Sequence, residues 1–164
     1  MTKILLLSDT HNHLDEKIFK YAETCDQIWH AGDIGTVAVT DKIKKMKSLI
    51  AVYGNIDGMD VRREFPEHQR FNCEGVDVWM THIGGSPGKY SPEIRNTLMI
   101  KPPKLFICGH SHILKVIFDK KHNMLYMNPG SAGNYGAHKV KTLLRFTIDK
   151  AEIKGLDVIE FGKI

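Results

Sequence analysis

The sequence predicts an α/β protein in which two mixed sheets pack together and helices cover their outer faces. In the first half of the chain, short apolar runs alternate with helical segments, which favours parallel strands joined by right-handed crossovers. In the second half, pairs of strand-like segments are joined by short turns, as in antiparallel hairpins. A length of 164 residues suits one domain, spanning 1–164, with a substantial core.

The first half alternates predicted strands with predicted helices. The strand segments are short and mostly apolar, as expected of strands buried on both faces. The helix segments space their apolar residues three or four positions apart, as Ile18, Tyr21 and Ala22 do. In chain order these segments are a strand at 3–8, a helix at 14–25, a strand at 27–32, a helix at 39–47 and a strand at 49–54.

The second half is dominated by predicted strands. One helix is expected at 91–100, with Ser91 as its N-cap and Pro92 at its first position. The remaining segments are a hairpin at 70–82 that turns near residues 74–75, a buried strand at 104–109, a hairpin at 114–128 that turns around 121–123, and a hairpin at 141–162.

Composition limits the classes of function. Hydrophobic residues make up 42% of the chain and charged residues 26%, which is ordinary for a soluble globular protein. A net charge of +4 mildly favours an anionic substrate, but the sequence has no basic strip that predicts specific binding of a nucleic-acid polymer. The three cysteines have no metal-knuckle spacing, and the N-terminal apolar run is too short to span a membrane. We expect a cytoplasmic protein without a membrane anchor.

Polar side chains that can bind metals follow five of the predicted strands. The carboxyl ends of parallel strands lie at one edge of a sheet, where ligands bind. Taken singly, each residue has another explanation, because aspartate and asparagine are common in turns and caps and a loop histidine can face solvent. Together they predict a metal site. The residues are Asp9, His11, Asp33, Asn55, His82, His110 and His112.

Five short motifs in this region resemble those of a known family. The sequences DTH, GDI, GN, TH and GHSH occur in this order between Asp9 and His112. This ordered set resembles the calcineurin-like metallophosphoesterases, and NPGS at 128–131 resembles a further landmark of the small YfcE-type phosphodiesterase branch. The resemblance implies an α/β/β/α sandwich with mixed parallel and antiparallel sheets. It also implies hydrolysis of a small phosphate-ester substrate.

The resemblance further implies a site with two divalent metal ions. Mn²⁺ is expected, with Fe²⁺, Zn²⁺ or Ni²⁺ as alternatives, because these ions suit a mixed shell of imidazole, carboxylate and amide ligands. Two such ions can activate a bridging hydroxide and hold a phosphoryl group, so Asp33, Asn55 and His82 would act in catalysis through the metals. The first ion would be held by Asp9, His11, Asp33 and His112, and the second by Asp33, Asn55, His82 and His110.

Five residues near the motifs have further predicted roles or depart from the family pattern. His30 either orients a ligand or packs beside Trp29. Many family members carry GNHE after the third strand, where the histidine is thought to protonate the leaving group. Here the stretch is GNID, so Ile56 replaces that histidine and Asp57 the glutamate. Further contacts to the substrate or to the ligands are predicted for Ser131 and His138, and His138 is one candidate for the missing acid.

Two other hypotheses compete with a small-substrate hydrolase. The first is a non-enzymatic metal-binding scaffold or interaction module, because a eukaryotic retromer subunit of this fold works mainly as a scaffold. The complete ligand set argues against it. The second is a nuclease, which the absence of an inserted cap domain or a basic strip disfavours. The late hairpins offer a surface on which a homo-oligomer is conceivable.

Overall fold

The structure, a computed structural model, describes residues 1–164 and contains ten strands and four helices. None of the helices is both long and apolar enough to cross a membrane. In chain order the elements are β1 (Thr2–Leu7), α1 (Lys17–Glu23), β2 (Gln27–His30), α2 (Val37–Lys44), β3 (Ser48–Ala51), α3 (Met59–Glu64), β4 (His68–Cys73), β5 (Val76–Thr81), α4 (Pro92–Ile100), β6 (Leu105–Ile107), β7 (Leu114–Asp119), β8 (Met124–Pro129), β9 (Val140–Asp149) and β10 (Glu152–Lys163).

The strands form two five-stranded sheets, both mixed. The first sheet has the order β10-β9-β1-β2-β3, and its β1, β2 and β3 run parallel. The second sheet has the order β4-β5-β6-β8-β7, and its β5, β6 and β8 run parallel. Each predicted hairpin is an antiparallel pair, so the mixed topology expected from the sequence is confirmed.

Alternating side chains of β1 explain the layering of the fold. Leu5 and Leu7 point to one face and pack with residues of α1, α2 and α3, such as Ile18, Ile43 and Val61. The intervening residues Ile4 and Leu6 point to the other face, where they form a core with apolar residues of the second sheet. Helix α4 covers the outer face of that second sheet. The four layers therefore follow the predicted order α/β/β/α.

The helices differ from the sequence predictions in several respects, and α2 spans Val37–Lys44 where a helix at 39–47 was expected. Helix α1 begins at Lys17 and not at residue 14, because the Asp15 side chain accepts a hydrogen bond from the Lys17 backbone amide in a turn before the helix. Helix α3 was not predicted, since its six residues bury only Val61 and carry no helical periodicity. Ser91 does precede α4, but its side chain makes no capping hydrogen bond.

Candidate metal centre

The predicted metal ligands lie on loops that follow strands of both sheets. The first sheet contributes Asp9 and His11 after β1 and Asp33 after β2. The second sheet contributes one histidine after β5 and two after β6, so the loops meet where the parallel strands of both sheets end. Asn55, in the loop after β3, is exposed and shares a cleft with His82.

Six of these side chains form two groups of three. Within each group, one candidate ligand atom from every residue lies within 4.8 Å of the others. This spacing is short enough for one cation to contact all three atoms of a group. The first group is Asp9, His11 and His112, and the second is Asp33, His82 and His110.

Asp33 lies between the two groups. Its Oδ1 atom is 3.2 Å from Nε2 of His82, which belongs to the second group. Its Oδ2 atom is 3.5 Å from Nε2 of His11, which belongs to the first. The carboxylate thus presents one oxygen to each group, which is the geometry that a shared ligand requires. A backbone amide, that of Ile56, also donates to Oδ1 at 3.1 Å and fixes the carboxylate orientation.

Unpartnered polar atoms provide a test of whether a cation fits. Oδ1 of Asp9, Nε2 of His11 and Nε2 of His82 are buried and have no hydrogen-bond partner. Leaving such atoms unsatisfied costs about 1–3 kcal/mol each. Both imidazole nitrogens lie 3.9 Å from Oδ1 of Asp9, and all three atoms are lone-pair donors to divalent cations. The residues present therefore fit a metal centre.

Hydrogen bonds set the tautomer of His82. Its Nδ1 atom lies 2.7 Å from the carbonyl oxygen of Ala31, which can only accept, so Nδ1 carries the proton. The other ring nitrogen, Nε2, then keeps a free lone pair directed at the site. Such a bond from the remote ring nitrogen is typical of metal-binding histidines.

A contact with His138 sets the tautomer of His112. Nε2 of His138 donates to the carbonyl oxygen of Gly133 at 3.0 Å, so Nδ1 of His138 is an acceptor. Nδ1 of His112 lies 3.3 Å from that acceptor and supplies the proton. Nε2 of His112 is left with its lone pair 3.1 Å from Oδ1 of Asp9. His138 therefore orients a candidate ligand, a role that the sequence alone did not distinguish from proton donation.

Five of the seven predicted ligands adopt a left-handed backbone conformation. This conformation is uncommon for residues other than glycine, and it concentrates at functional sites, where the surrounding structure holds the strain. Their φ angles lie between 45° and 68°. Two glycines at this edge have a different reason to be there, since a Cβ at Gly54 would overlap Asp33 and one at Gly109 would overlap Ser8. The five ligands with a left-handed backbone conformation are Asp9, His11, Asp33, His110 and His112.

Asp57 ties the loops of the first sheet together. Its carboxylate is buried and accepts hydrogen bonds from three backbone amides, those of Ile34, Gly35 and Gly54, at 3.1, 2.7 and 2.7 Å. Two of these amides follow Asp33 directly in the chain, and the third, that of Gly54, directly precedes Asn55. Both carboxylate oxygens accept backbone amides, so Asp57 ties the loop after β2 to the loop after β3.

His30 links the ends of β1 and β2 from a fully buried position. Its Nδ1 atom accepts from the Gly32 amide at 3.2 Å, so Nε2 carries the proton and donates to the Thr10 hydroxyl at 2.9 Å. Thr10 in turn donates to the carbonyl oxygen of Ile34. Burial lowers the pKa of His30 to about 4, so the ring is neutral at physiological pH. Sequence analysis missed Thr10, although it stands inside the DTH motif.

The NPGS loop contacts the end of β1. Ser131 is buried, and its hydroxyl donates to the backbone carbonyl of Asp9 at 3.1 Å. The amides of Ala132 and Gly133 donate to Ser8 and Asp9. These groups already have protein partners, so they position the Asp9 backbone and are not free to bind a substrate anion.

Charges within the cluster shift the pKa values of its members. Burial lowers the pKa of His11. Burial also opposes protonation of His82, but the carboxylates of Asp33 and Asp9 outweigh it and raise the pKa of His82. For Asp33, burial favours the neutral acid, yet the contact with His82 and the Ile56 amide lower its pKa. Asp33 is therefore an anion at neutral pH, as a ligand to cations must be.

One aromatic residue near the site was not predicted. The ring of Tyr135, which is exposed, lies with its centroid 5.0 Å from that of His11. Nothing in the loop sequence around Tyr135 fixes its position in space. Ile56 is also exposed, next to Asn55, and its side chain has no proton to donate.

Solved structures with this fold include both enzymes and trafficking proteins. The structure of an archaeal phosphodiesterase is 22% identical, with a TM-score of 0.71 over 96% of this chain and 99% of that one. Vps29 of Chaetomium thermophilum is 15% identical, with a TM-score of 0.74 over the whole of both chains. At these identities the likeness establishes the fold.

Sequence comparisons identify the family. A probable metallophosphoesterase of Mycoplasma pneumoniae is 29% identical over 137 residues, covering 80% of this chain and 79% of that protein. Residues 2–151, most of the chain, match the calcineurin-like phosphoesterase superfamily domain. The two groups of candidate ligands lie within that match. The chain therefore belongs to the calcineurin-like phosphoesterase superfamily.

Proposed function

We propose that this protein is a phosphodiesterase that depends on two divalent metal ions, with Mn²⁺ as the expected ion. One observation carries the proposal: the two oxygens of Asp33 face histidines of different groups. Asp9, His11 and His112 would hold one ion together with Asp33. His82, His110 and Asn55 would hold the other ion with the same carboxylate.

Bound divalent ions would supply Lewis acidity to a phosphoryl oxygen and make a water molecule more acidic. The chain's own residues hold and orient the ligand atoms. His138 and Ala31 fix the proton-bearing nitrogens of His112 and His82, and Asp57 holds the loops on either side of Asp33. None of these residues needs to accept a proton during the reaction.

A preference for aryl over alkyl leaving groups follows from the missing acid. General acid catalysis contributes about 10²–10⁴-fold when a donor is present. Ile56 stands where many family members have the donor histidine, and His138 already donates to Gly133. Substrates whose leaving groups need no proton, such as aryl phosphodiesters, should then be favoured over alkyl phosphomonoesters. The similar archaeal phosphodiesterase supports the same substrate class.

The first experiment is an activity screen. Metal-stripped protein would be reloaded with Mn²⁺, Fe²⁺, Zn²⁺ or Ni²⁺ and assayed against phosphomonoesters, aryl phosphodiesters and cyclic nucleotides. We expect the highest kcat/KM with Mn²⁺ and an aryl phosphodiester. Equal turnover of alkyl phosphomonoesters would contradict the diesterase assignment, while leaving a general phosphoesterase possible.

Metal stoichiometry provides a test that does not depend on turnover. His110→Ala and His112→Ala each remove one ligand from a different group, so each should lower bound metal from about two equivalents towards one. The control is His13→Ala, since His13 is exposed and belongs to neither group. Two full equivalents in both variants would argue against the proposed ligand sets.

A metal-binding interaction module is the second candidate function. It is favoured by the Vps29 structures, whose TM-scores of 0.73 and 0.74 are close to the 0.71 of the phosphodiesterase, and one of them contains Zn²⁺. The activity screen separates the two functions. Full metal occupancy without hydrolysis of any ester would favour the interaction module.

A further inference from the structure

A groove opens directly beside the second group of candidate ligands. It has a volume of about 200 Å³, and His110 forms part of its wall. One side is built from the loop after β5, with Ser86 and Lys89, and the other from the start of β7, with Lys115. A substituent attached to a phosphoryl group at the metal centre can extend into this groove without leaving the protein surface.

The groove carries an unbalanced positive charge. Its nine lining residues include Lys89 and Lys115 but no carboxylate. Both lysines are exposed, and neither takes part in the salt bridges of the chain, which involve other lysines such as Lys44, Lys141 and Lys154. Two lysines that line one groove and make no salt bridge attract an anionic group that enters it.

Hydrogen bonds hold the Lys89 wall in place. The Tyr126 hydroxyl donates to the carbonyl oxygen of Gly85 at 2.7 Å, at one end of the loop. At the other end, the Tyr90 hydroxyl donates to the buried carboxylate of Asp119 at 2.7 Å. Within the loop, the amide of Lys89 donates to the carbonyl of Ser86. The backbone that carries Lys89 is therefore fixed before a substrate arrives.

The opposite wall is equally fixed. Lys115 lies on β7 and pairs with Asn128 of β8 in the second sheet. Asn128 is buried, and its side-chain amide donates to the carbonyl oxygen of Gly109 at 2.9 Å, next to His110. The exposed side chain of Ile113 adds an apolar surface to the same wall. The groove thus combines an apolar contact with two positioned charges.

We propose that this groove binds one organic substituent of the substrate and selects substituents that carry a second anionic group, such as a carboxylate. The inference rests on the proposed phosphoesterase function and specifies its substrate class. Lys89 and Lys115 are assigned as residues that determine specificity. They lie outside the candidate ligand groups and are not needed to hold metal.

Equilibrium binding of two phosphonates tests the assignment. The manganese-loaded protein should bind para-carboxybenzylphosphonate about tenfold more tightly than benzylphosphonate, since each exposed lysine adds a modest, screened attraction. Lys89→Gln and Lys115→Gln should each reduce this ratio, and the double variant should bring it close to one. Lys120→Gln is the matched control, because Lys120 is exposed in the turn directly after β7 but does not line the groove.

A parallel kinetic comparison uses para-nitrophenyl phenyl phosphate and its analogue with a para-carboxylate on the phenyl ring. Wild-type protein should show the lower KM for the carboxylate analogue, and the double variant should lose that difference. A wild-type ratio of one in both assays, or an unchanged ratio in the double variant, would overturn the inference.

The outcomes separate the inference from the proposed function. Hydrolysis of both diesters without any preference for the carboxylate would refute the groove assignment alone. No hydrolysis and no phosphonate binding by metal-loaded protein would refute the proposed function, and the groove assignment with it.

Discussion

The two sheets contribute unequal halves to the candidate metal centre. The half on the first sheet contains both carboxylates, Asp9 and Asp33, and both are almost completely buried. The half on the second sheet contains only imidazoles, and one of them, His110, is exposed. Buried anions are costly unless a positive charge lies nearby. The first half therefore supplies the negative charge that attracts cations, and the second half supplies further candidate ligands.

The two halves are also stabilised differently. Hydrogen bonds within the first sheet's loops, centred on Asp57 and His30, brace the first half. Two bonds tie the second half to the first: the His110 amide donates to Asp9 Oδ2 at 3.2 Å, and His82 donates to Ala31. Changes in the first half should thus disturb the whole site, whereas changes in the second should act locally.

The largest effect is expected from Asp33→Asn. An amide lacks the charge that both groups share, so metal-dependent hydrolysis should be lost and bound metal should fall below one equivalent, while the fold persists. Elemental analysis and turnover measure the effect. Asp60→Asn is the control, since Asp60 is an exposed carboxylate on α3. Wild-type turnover by Asp33→Asn at equal metal occupancy would show that this residue does not bridge two ions.

The next effect is expected from Asp57→Asn, which tests the bracing of the first half. The carboxylate accepts three amides, and an amide side chain would turn a donor towards at least one of them. We expect a loss of about 1–3 kcal/mol in the free energy of unfolding, together with weaker metal binding. Chemical denaturation of metal-free protein measures the first quantity, again with Asp60→Asn as control. Unchanged stability would mean that the loops do not depend on Asp57.

The positions of the candidate ligands and the layering of the fold could be predicted from the sequence. The parallel strands of both sheets end at one edge, so metal-competent residues after apolar runs were predicted to lie together, and six of the seven do; Asn55 is in neither group. Two packed sheets with helices outside followed from the alternation of strands and helices in the first half and from the late hairpins. Both predictions use short-range patterns that the sequence displays directly.

The bracing interactions depend on contacts that a linear pattern does not contain. The three amides that Asp57 accepts lie on two separate loops, and the His112–His138 pair joins residues 26 positions apart. The left-handed conformation of the ligands is likewise imposed by tertiary structure, because intrinsic preferences oppose it. The short helix α3 has too few buried residues to produce a periodic signal.

An effect that appears only below pH 6.5 is expected from His30. Its pKa is about 4 in the folded protein, below the ordinary value of 6.5, so the unfolded chain binds more protons between these values. The contribution of His30 to the free energy of unfolding should be fully present above pH 6.5. It should fall as the pH decreases towards 4, by up to about 3 kcal/mol. His30→Gln should flatten that part of the pH profile of metal-free protein. His13→Gln, at an exposed position, should leave the profile unchanged, and an identical slope in His30→Gln would assign it to other groups.

The smallest effect is expected at Ile56, in the loop after β3, where the isoleucine replaces the usual acid. Its amide holds Asp33 Oδ1, but its exposed side chain cannot protonate a leaving group. For a series of aryl phosphodiesters, log kcat/KM should therefore fall steeply as the pKa of the leaving group rises. Ile56→His would flatten this line if the new imidazole reaches the leaving oxygen, with most of the gain for basic leaving groups.

Ile56→Gln separates proton donation from polarity, because its amide has similar reach but is not an acid at neutral pH. It should keep the steep wild-type slope. A flat slope in the wild type, with the chemical step limiting the rate, would mean that another group already supplies the proton. His138→Gln would then distinguish two roles: as a donor His138 would steepen the slope when removed, whereas as the partner of His112 Nδ1 its loss would weaken metal binding, typically by about 10–100-fold, without changing the slope.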